Sequence, residues 1–234
     1  MSWAYAYAFR AGAGKERCDD VCICETLGDT LIAAVADGAG SAEQAHAGAS
    51  LACEVFLQLG VQVFSGTVEA SCLLEAIQAR IPEGENDAYA CTLVGAVADS
   101  RRAMILQIGD GAAVVSLRSP PSEYEVALWP EETEFLNHTF FATASDADQH
   151  LQLRRLDAPP YEVALFSDGL QLLILDPKAK VPHQPFFRTV FKPLKNEPGH
   201  DVKASWWLER QIGSEHVTKR TDDDTSIVLA RRLS

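Results

Sequence analysis

Five aspartates in this sequence stand at positions where short apolar runs begin or end. They are Asp20, Asp37, Asp110, Asp168 and Asp223. Any single Asp-Gly pair is more often an ordinary turn, because both residues favour turn geometry. Turn formation does not explain why an acidic residue recurs at the end of one apolar run after another.

Carboxylates at strand ends would lie within a few ångströms of one another if a sheet brought those ends to one edge. Such crowding is unfavourable unless the groups are protonated or bridged by a cation. Carboxylate and carbonyl oxygens are hard ligands, which suit Mg²⁺ or Mn²⁺ and not copper or zinc–sulfur sites. The five aspartates together therefore favour a metal site over a set of unrelated turns.

The elements that would position these aspartates are mostly strands. Continuous apolar runs precede three of the aspartates and are typical of strands buried on both faces. The runs cover residues 31–36, 104–108 and 163–166, and further strands are predicted at 1–9, 20–25, 93–98, 112–117, 124–128 and 227–231. The strands on either side of Asp110-Gly111 are predicted to form a hairpin, because Asp-Gly tolerates the positive φ angles of a tight turn.

Helices are fewer. Ser41 and Gln44 have the spacing of a capping box, which predicts a helix that starts near them. Other helices are expected near 67–81, 170–175, 186–191 and 202–211. Many strands with helices between them predict an α+β fold, in which two antiparallel β-sheets form a central sandwich flanked by helices, in a single domain over residues 1–234.

Composition limits the function classes. The chain has 234 residues and a formal net charge of −13, which disfavours binding to nucleic-acid backbones. Its six cysteines, without a recognisable secretion signal, predict free thiols and a cytoplasmic location. Because no apolar run approaches the roughly 18 residues of a membrane span, no membrane association is expected.

Six segments resemble, in order, the motifs of the metal-dependent protein phosphatases of type 2C, the PPM family, and most closely its compact bacterial branch. The segments are KERCDD at 15–20, VADGAGS at 35–41, CTLVG at 91–95, IGDG at 108–111, FSDGL at 166–170 and RTDDDTS at 220–226. The resemblance spans nearly the whole chain. It implies a β-sandwich flanked by helices and a serine/threonine phosphatase, which hydrolyses phosphomonoesters by in-line attack of a water activated by two metal ions.

The resemblance also implies roles for individual residues. The residues that would bind two Mn²⁺ or Mg²⁺ ions and a weaker third are Asp20, Asp37, Gly38, Asp110, Asp168 and Asp223. Asp37 would bridge the two catalytic ions. Asp37 and Asp168 are the two residues that the resemblance predicts to be catalytic. Asp20 would act mostly through water, and Gly38 through its carbonyl oxygen. A shift of one residue would replace Asp223 by Asp222, and this alternative stays open.

Two positions depart from the family pattern. Lys15 stands where the family usually has a phosphate-binding arginine, so Lys15 and the nearby Arg17 are both predicted to bind substrate. Ala39 stands where many eukaryotic members have a histidine that is proposed as the general acid. His46, on the following helix, is interpreted as an exposed helical residue and not as its replacement.

The expected partners are phosphoserine or phosphothreonine proteins, together with a cognate serine/threonine kinase. Two other functions remain open at this point. One is a catalytically silent domain of the same fold that binds phosphoproteins or regulates a partner, and the other is a hydrolase of small phosphate esters. The segment AGAGK at 11–15 superficially resembles a phosphate-binding P-loop, but Phe9 and Glu16 stand where that motif requires Gly and Ser or Thr.

Overall fold

A computed structural model describes residues 2–121, 123–130 and 139–233 of the chain. Two β-sheets pack face to face. The six-stranded sheet has the spatial order β12 (Gly199–His200), β1 (Ser2–Arg10), β13 (Thr225–Leu233), β9 (Glu162–Phe166), β6 (Ala112–Ser116), β7 (Glu125–Leu128). The five-stranded sheet has the order β2 (Val21–Leu27), β3 (Thr30–Ala36), β4 (Leu93–Ala98), β5 (Ala103–Ile108), β8 (Gln152–Leu156). A small ribbon pairs β10 (Leu175–Asp176) with β11 (Val181–Pro182).

Helices cover the outer face of each sheet. They are α1 (Ala45–Ser65), α2 (Ser71–Gln78), α3 (Ala147–His150), α4 (Asp168–Ile174), α5 (Gln184–Val190), α6 (Val202–Ile212) and α7 (Glu215–Thr218), with a 3₁₀ turn at Asn86–Tyr89. Apolar residues of α1 and α2 pack on the five-stranded sheet. Those of α4, α5 and α6 pack on the six-stranded sheet. The predicted α+β sandwich is confirmed, with antiparallel pairing throughout both large sheets except for the short parallel pair of β12 with β1.

Strand β3 shows why the central strands are apolar on both faces. Ile32 and Ala34 belong to the core under α1, whereas Leu31, Ala33 and Val35 belong to the core between the two sheets. A strand that is covered by a helix on one side and by a sheet on the other has no solvent-facing positions, so alternation of polar and apolar residues disappears. The same reasoning applies to β4, β5, β6 and β9, in which every residue is buried.

Strand register brings the ends of several strands to one edge of the sandwich. The pairs that mark this edge are Arg10 with Thr225, Val21 with Ala36, Leu93 with Ile108, and Ala112 with Phe166. We call this edge the site end. The five aspartates singled out by the sequence are in the segments adjoining these residues, so the expectation that strand ends gather them is confirmed.

Two local predictions are wrong. Strands β5 and β6 do not form a hairpin, because β5 pairs with β4 and β8 in one sheet while β6 pairs with β7 and β9 in the other. The Asp110-Gly111 segment instead carries the chain from one sheet to the other. The capping box is also absent, since α1 begins at Ala45 and its N-cap residue, Gln44, makes no side-chain capping bond.

Helix α1 is the one helix in the described ranges that is long and apolar enough, by length and composition alone, to cross a membrane. This differs from the sequence expectation that no apolar stretch approaches that length. Half of its most apolar window is buried inside the protein. Packing on the five-stranded sheet therefore accounts for its apolar composition.

Candidate metal centre

A cavity of about 600 Å³ opens at the site end, and we call it the acidic cavity. Four of the predicted aspartates line it, namely Asp37, Asp110, Asp168 and Asp223, and no lysine or arginine of the described residues does. The fifth aspartate, Asp20, is buried and has only 1% of its surface exposed. The fold therefore brings the acidic positions together although they are far apart in sequence.

Asp37 and Gly38 are held by the backbone around them. The Asp37 N–H donates to Oγ1 of Thr92 over 3.1 Å, and the Thr92 N–H donates to the Asp37 carbonyl over 2.8 Å. Gly38 passes so close to the start of α1 that a Cβ atom there would lie 2.5 Å from the Ala45 carbonyl oxygen. The Asp-Gly pair after β3 thus has a fixed position, with glycine required by space.

Three carboxyl groups form the centre of the cavity. One carboxylate oxygen from each of Asp37, Asp110 and Asp168 lies within 4.8 Å of the other two. Burial raises the pKa of all three groups, and the pKa of Asp37 is raised further by the charges of Asp20 and Asp168. Each shift has the direction expected when carboxylates are crowded without a compensating cation.

Two of the five aspartates, Asp20 and Asp168, have carboxylate oxygen atoms that are buried and unpartnered. Among the described residues, no hydrogen-bond partner is found for either carboxylate oxygen of Asp20 or for Oδ1 of Asp168. Burial raises the pKa of Asp20, and the hydroxyls of Ser167 and Ser226 oppose this rise without reaching hydrogen-bond geometry. Because an unpaired buried carboxylate is costly, such oxygens fit a divalent cation that would coordinate them.

The three consecutive aspartates before β13 have three different environments. Asp222 is exposed, Asp223 lines the acidic cavity, and Asp224 is buried with 2% of its surface exposed. The position of Asp223 favours it over Asp222 as the C-terminal ligand. The choice between them remains a prediction that separate variants of the two residues can test.

Asp224 is a positioning residue that the sequence did not reveal. Its Oδ1 accepts the Gly12 N–H and its Oδ2 accepts the Asp19 N–H, each over 2.7 Å. A Cβ atom at Gly169 would lie 2.0 Å from the Asp224 carbonyl oxygen, so α4 also starts against this residue. Asp224 thereby connects the segments that carry Asp20, Asp168 and Asp223. Only the run of three aspartates signals it, and a run does not show which member faces inward.

We expect Asp224→Ala to destabilise the protein by about 2–4 kcal/mol, because two backbone N–H groups lose a charged acceptor. Its midpoint in urea should fall, and Mn²⁺ should bind more weakly because the segment before Asp20 is released. Asp222→Ala is the matched control, and it should stay within about 0.5 kcal/mol of the wild type. Equal stability of the two variants would contradict the positioning role of Asp224.

Lys15 and Arg17, the predicted substrate-binding residues, do not line the acidic cavity. The Lys15 Nζ lies 2.9 Å from Oδ1 of Asp223 and 3.3 Å from Oδ1 of Asp224. Partial burial lowers the pKa of Lys15, but these two carboxylates outweigh it and raise the pKa above its ordinary value. The Arg17 Nε lies 3.0 Å from Oδ1 of Asp19, and its side chain is largely exposed.

The contact with Asp223 puts Lys15 nearer than Arg17 to the acidic cavity. We expect Lys15→Ala to raise KM for an aryl phosphate about fivefold, as loss of one charge-assisted contact predicts, with a smaller change in kcat. Lys15→Arg should retain or improve binding, because guanidinium contacts phosphate through two parallel hydrogen bonds. If Lys15→Ala leaves both constants unchanged, Lys15 is not the phosphate ligand and Arg17 is the next residue to test.

Ala39 lines the acidic cavity, and no histidine among the described residues does. His46 is half-buried, and its Nδ1 lies 3.1 Å from the Cys18 carbonyl oxygen. The prediction that His46 is exposed is therefore wrong, because the start of α1 packs against the segment before β2. The conclusion that His46 does not replace the missing histidine is consistent with its position outside the cavity.

Comparison with known proteins agrees with the geometry. The model of the family described as protein phosphatase 2C matches residues 11–212. Serine/threonine-protein phosphatase 3 of Escherichia coli (strain K12) is 32% identical over an alignment 252 positions long, which covers 98% of this chain and 98% of that protein.

Two solved structures share the fold at low sequence identity. The serine/threonine phosphatase Stp1 from Staphylococcus aureus superposes with a TM-score of 0.69 at 12% identity, covering 100% of this chain and 96% of that one. RsbX, crystallised in complex with magnesium, superposes with a TM-score of 0.64 at 15% identity, covering 99% and 96%. At such identities these structures support the fold, whereas the family match and the E. coli relative support membership. The chain belongs to the protein phosphatase 2C family, and it is a phosphatase.

Proposed function

We propose that this phosphatase is a serine/threonine protein phosphatase that works with two Mn²⁺ or Mg²⁺ ions and a weaker third. The observation that carries the proposal is the cluster of Asp37, Asp110 and Asp168, with ligand oxygens within 4.8 Å of one another, beside the unpartnered carboxylate of Asp20. The name of the E. coli relative supports the serine/threonine specificity, and the magnesium in the RsbX crystals supports the type of ion.

The proposed ligands are all hard oxygen donors. They are the carboxylates of Asp20, Asp37, Asp110, Asp168 and Asp223 and the carbonyl oxygen of Gly38. When bound, a pair of divalent ions supplies activated water for in-line attack on phosphorus and offsets the charge of the phosphoryl oxygens. Asp37 would bridge the pair, and Asp168 would complete the site with it.

The remaining contribution of the protein is orientation. Thr92 fixes the backbone of Asp37 through both of its hydrogen bonds, so that the bridging carboxylate starts from a set position. The Thr139 hydroxyl donates to Oδ2 of Asp110 and thereby orients this carboxylate at the cavity. The unneutralised carboxylates would repel a phosphate dianion, so substrate binding depends on the cations.

We further propose a cytoplasmic location, a single domain over residues 1–234, and phosphoprotein substrates supplied by a cognate serine/threonine kinase. All six cysteines are free thiols, which supports a reducing compartment. The excess of acidic residues supports the absence of nucleic acid among the partners.

The test is turnover of phosphothreonine peptides and of an aryl phosphate with Mn²⁺, with Mg²⁺ and after treatment with chelator. We expect hydrolysis of both substrates with metal, loss of activity with chelator, and recovery when metal is restored. Undiminished turnover after exhaustive chelation would refute the metal mechanism. Metal-dependent turnover of small phosphate esters without turnover of any phosphopeptide would favour the small-molecule hydrolase. Phosphopeptide binding without hydrolysis would favour the silent binding domain.

A further inference from the structure

A second cavity, of about 520 Å³, adjoins the acidic cavity at the site end. Asp223 lines both cavities, so it belongs to the wall that they share. The other charged residues of this second cavity are Arg10 and Lys15, and we call it the cationic cavity. In a chain with a net charge of −13, two cations in one cavity are a local reversal of the overall charge.

Arg10 is the cation of this cavity without a counter-ion. It is the last residue of β1, it is exposed, and within residues 2–121, 123–130 and 139–233 its guanidinium forms no ion pair or hydrogen bond. The register pairs Arg10 with Thr225, two residues after Asp223. Arg10 is therefore held beside the wall that the cavities share.

The end of α6 leaves space for this guanidinium. Gly213 follows α6, and a Cβ atom built there would lie 2.2 Å from Nη1 of Arg10, so the guanidinium rests against this glycine. The cavity also contains Thr221, whose Oγ1 accepts the Asp223 N–H over 3.2 Å and keeps its own proton to donate. A guanidinium and a hydroxyl group that both donate form a suitable site for an anion.

Lys15 has a different part in the same cavity. Its ammonium contacts Asp223 and Asp224, so its charge is already balanced by the protein. Arg10 has no such partner among the described residues and is the charge that remains to be neutralised by a ligand. An anion in this cavity would thus be selected mainly by Arg10.

We propose that the cationic cavity binds an anionic side chain of the substrate, a carboxylate or a second phosphoryl group, within about two residues of the phosphorylated residue. The proposal rests on the proposed function, which places the scissile phosphate in the acidic cavity. Because Asp223 lines both cavities, they adjoin each other, and an extended peptide, which advances about 3.3 Å per residue, can reach from one to the other within a few residues. The preferred substrates are therefore acidic or multiply phosphorylated sequences.

The experiment uses phosphothreonine peptides of one sequence, with Glu placed one or two residues before or after the phosphothreonine. In the matched peptides Gln replaces Glu. In a third set of peptides phosphoserine replaces Glu at the same positions. The wild-type protein with Mn²⁺ should give a kcat/KM roughly fivefold higher for the best Glu peptide than for its Gln match, mostly through KM. Arg10→Gln should reduce that ratio to about one, and raised salt should reduce it in the wild type.

The matched control is Arg101→Gln. Arg101 is an exposed arginine in the turn between β4 and β5, at the opposite end of the strands from the site end, and it should retain the full ratio. The Glu and phosphoserine peptides distinguish the two anions. A higher kcat/KM for the Glu peptides indicates a carboxylate, and a higher kcat/KM for the phosphoserine peptides indicates a second phosphoryl group. A ratio that is the same in the wild type and in Arg10→Gln would overturn the proposal, as would an active wild type that does not distinguish Glu from Gln.

Failure of the proposed function gives a different result. If no phosphopeptide is hydrolysed, the affinities of the same peptides are compared directly by fluorescence anisotropy. Tighter binding of the Glu peptide by the wild type, lost in Arg10→Gln, would support the anion site even without turnover. Equal binding by both proteins would overturn it.

Discussion

Asp37→Asn should lower kcat by several orders of magnitude while leaving the protein folded. In the proposed centre Asp37 would be a ligand of both cations, and a neutral amide would bind them much more weakly than a carboxylate. Burial raises the pKa of Asp37, and the charges of Asp20 and Asp168 raise it further, so the folded state without metal favours a neutral group at this position, which the amide supplies at every pH. Without metal, the variant should therefore unfold at the same temperature as the wild type or a higher one.

The measurements are steady-state turnover with saturating Mn²⁺ and thermal unfolding in chelator. Asp222→Asn makes the same chemical change at an exposed position outside the cavity, and it should keep wild-type activity. Nearly normal turnover by folded Asp37→Asn would refute the bridging role. If Asp37→Asn loses both activity and folding, Asp168→Asn is the variant that tests the metal cluster. Asp168 belongs to the same cluster, so this variant should lose activity to a similar degree.

The second large effect concerns stability and its dependence on pH and metal. The folded state raises the pKa values of Asp20, Asp37 and Asp168 above their unfolded values. A carboxyl group whose pKa is higher in the folded state stabilises the fold fully below its unfolded pKa, near 4. This stabilisation is lost as the pH rises towards the pKa of the folded state. In chelator, the melting temperature should thus decline from about pH 4 to pH 8, most steeply below pH 6, where Asp20 and Asp168 ionise, and more gently above it because of Asp37.

Mn²⁺ should reverse that decline. A cation at 100 times its dissociation constant stabilises the folded state by about 2.7 kcal/mol, which corresponds to roughly 5–10 °C for a chain of this size. Differential scanning fluorimetry across this pH range, with Mn²⁺ and with chelator, measures both effects. Asp37→Asn should show a smaller decline with pH and a smaller response to metal. A melting temperature that is indifferent to Mn²⁺ at pH 7.5 would contradict the metal site.

Much of the fold could be predicted from the apolar runs in the sequence. The structure assigns β4 to the same residues as predicted, and β3, β5 and β9 differ from their predicted ranges by one residue at one end. Strand β8, with the sequence QLRRL, was missed because it is an edge strand that is only partly buried and has no apolar signal. The false hairpin has another cause, since local turn chemistry at Asp110-Gly111 does not specify which sheet the next strand joins.

The candidate site was accessible to a similar degree. Acidic residues at strand ends indicated the four aspartates that line the cavity. The run of three aspartates did not decide whether Asp222 or Asp223 is the C-terminal ligand. Asp224 and Thr92 were not identified as supporting residues, because their roles depend on contacts across the chain, such as Asp224 with Gly12 and Asp19. Arg10 was equally inaccessible, since an arginine at the end of a strand has no sequence pattern that marks a cavity.

The proposed ligands come from both sheets of the sandwich. Asp20 and Asp37 adjoin β2 and β3 of one sheet, Asp168 and Asp223 adjoin β9 and β13 of the other, and Asp110 is in the connection between them. Ions held by this set would connect the two sheets and would resist sliding of one sheet over the other at the site end. In such an arrangement, cofactor affinity and the rigidity of the sandwich are two measures of the same mechanical coupling.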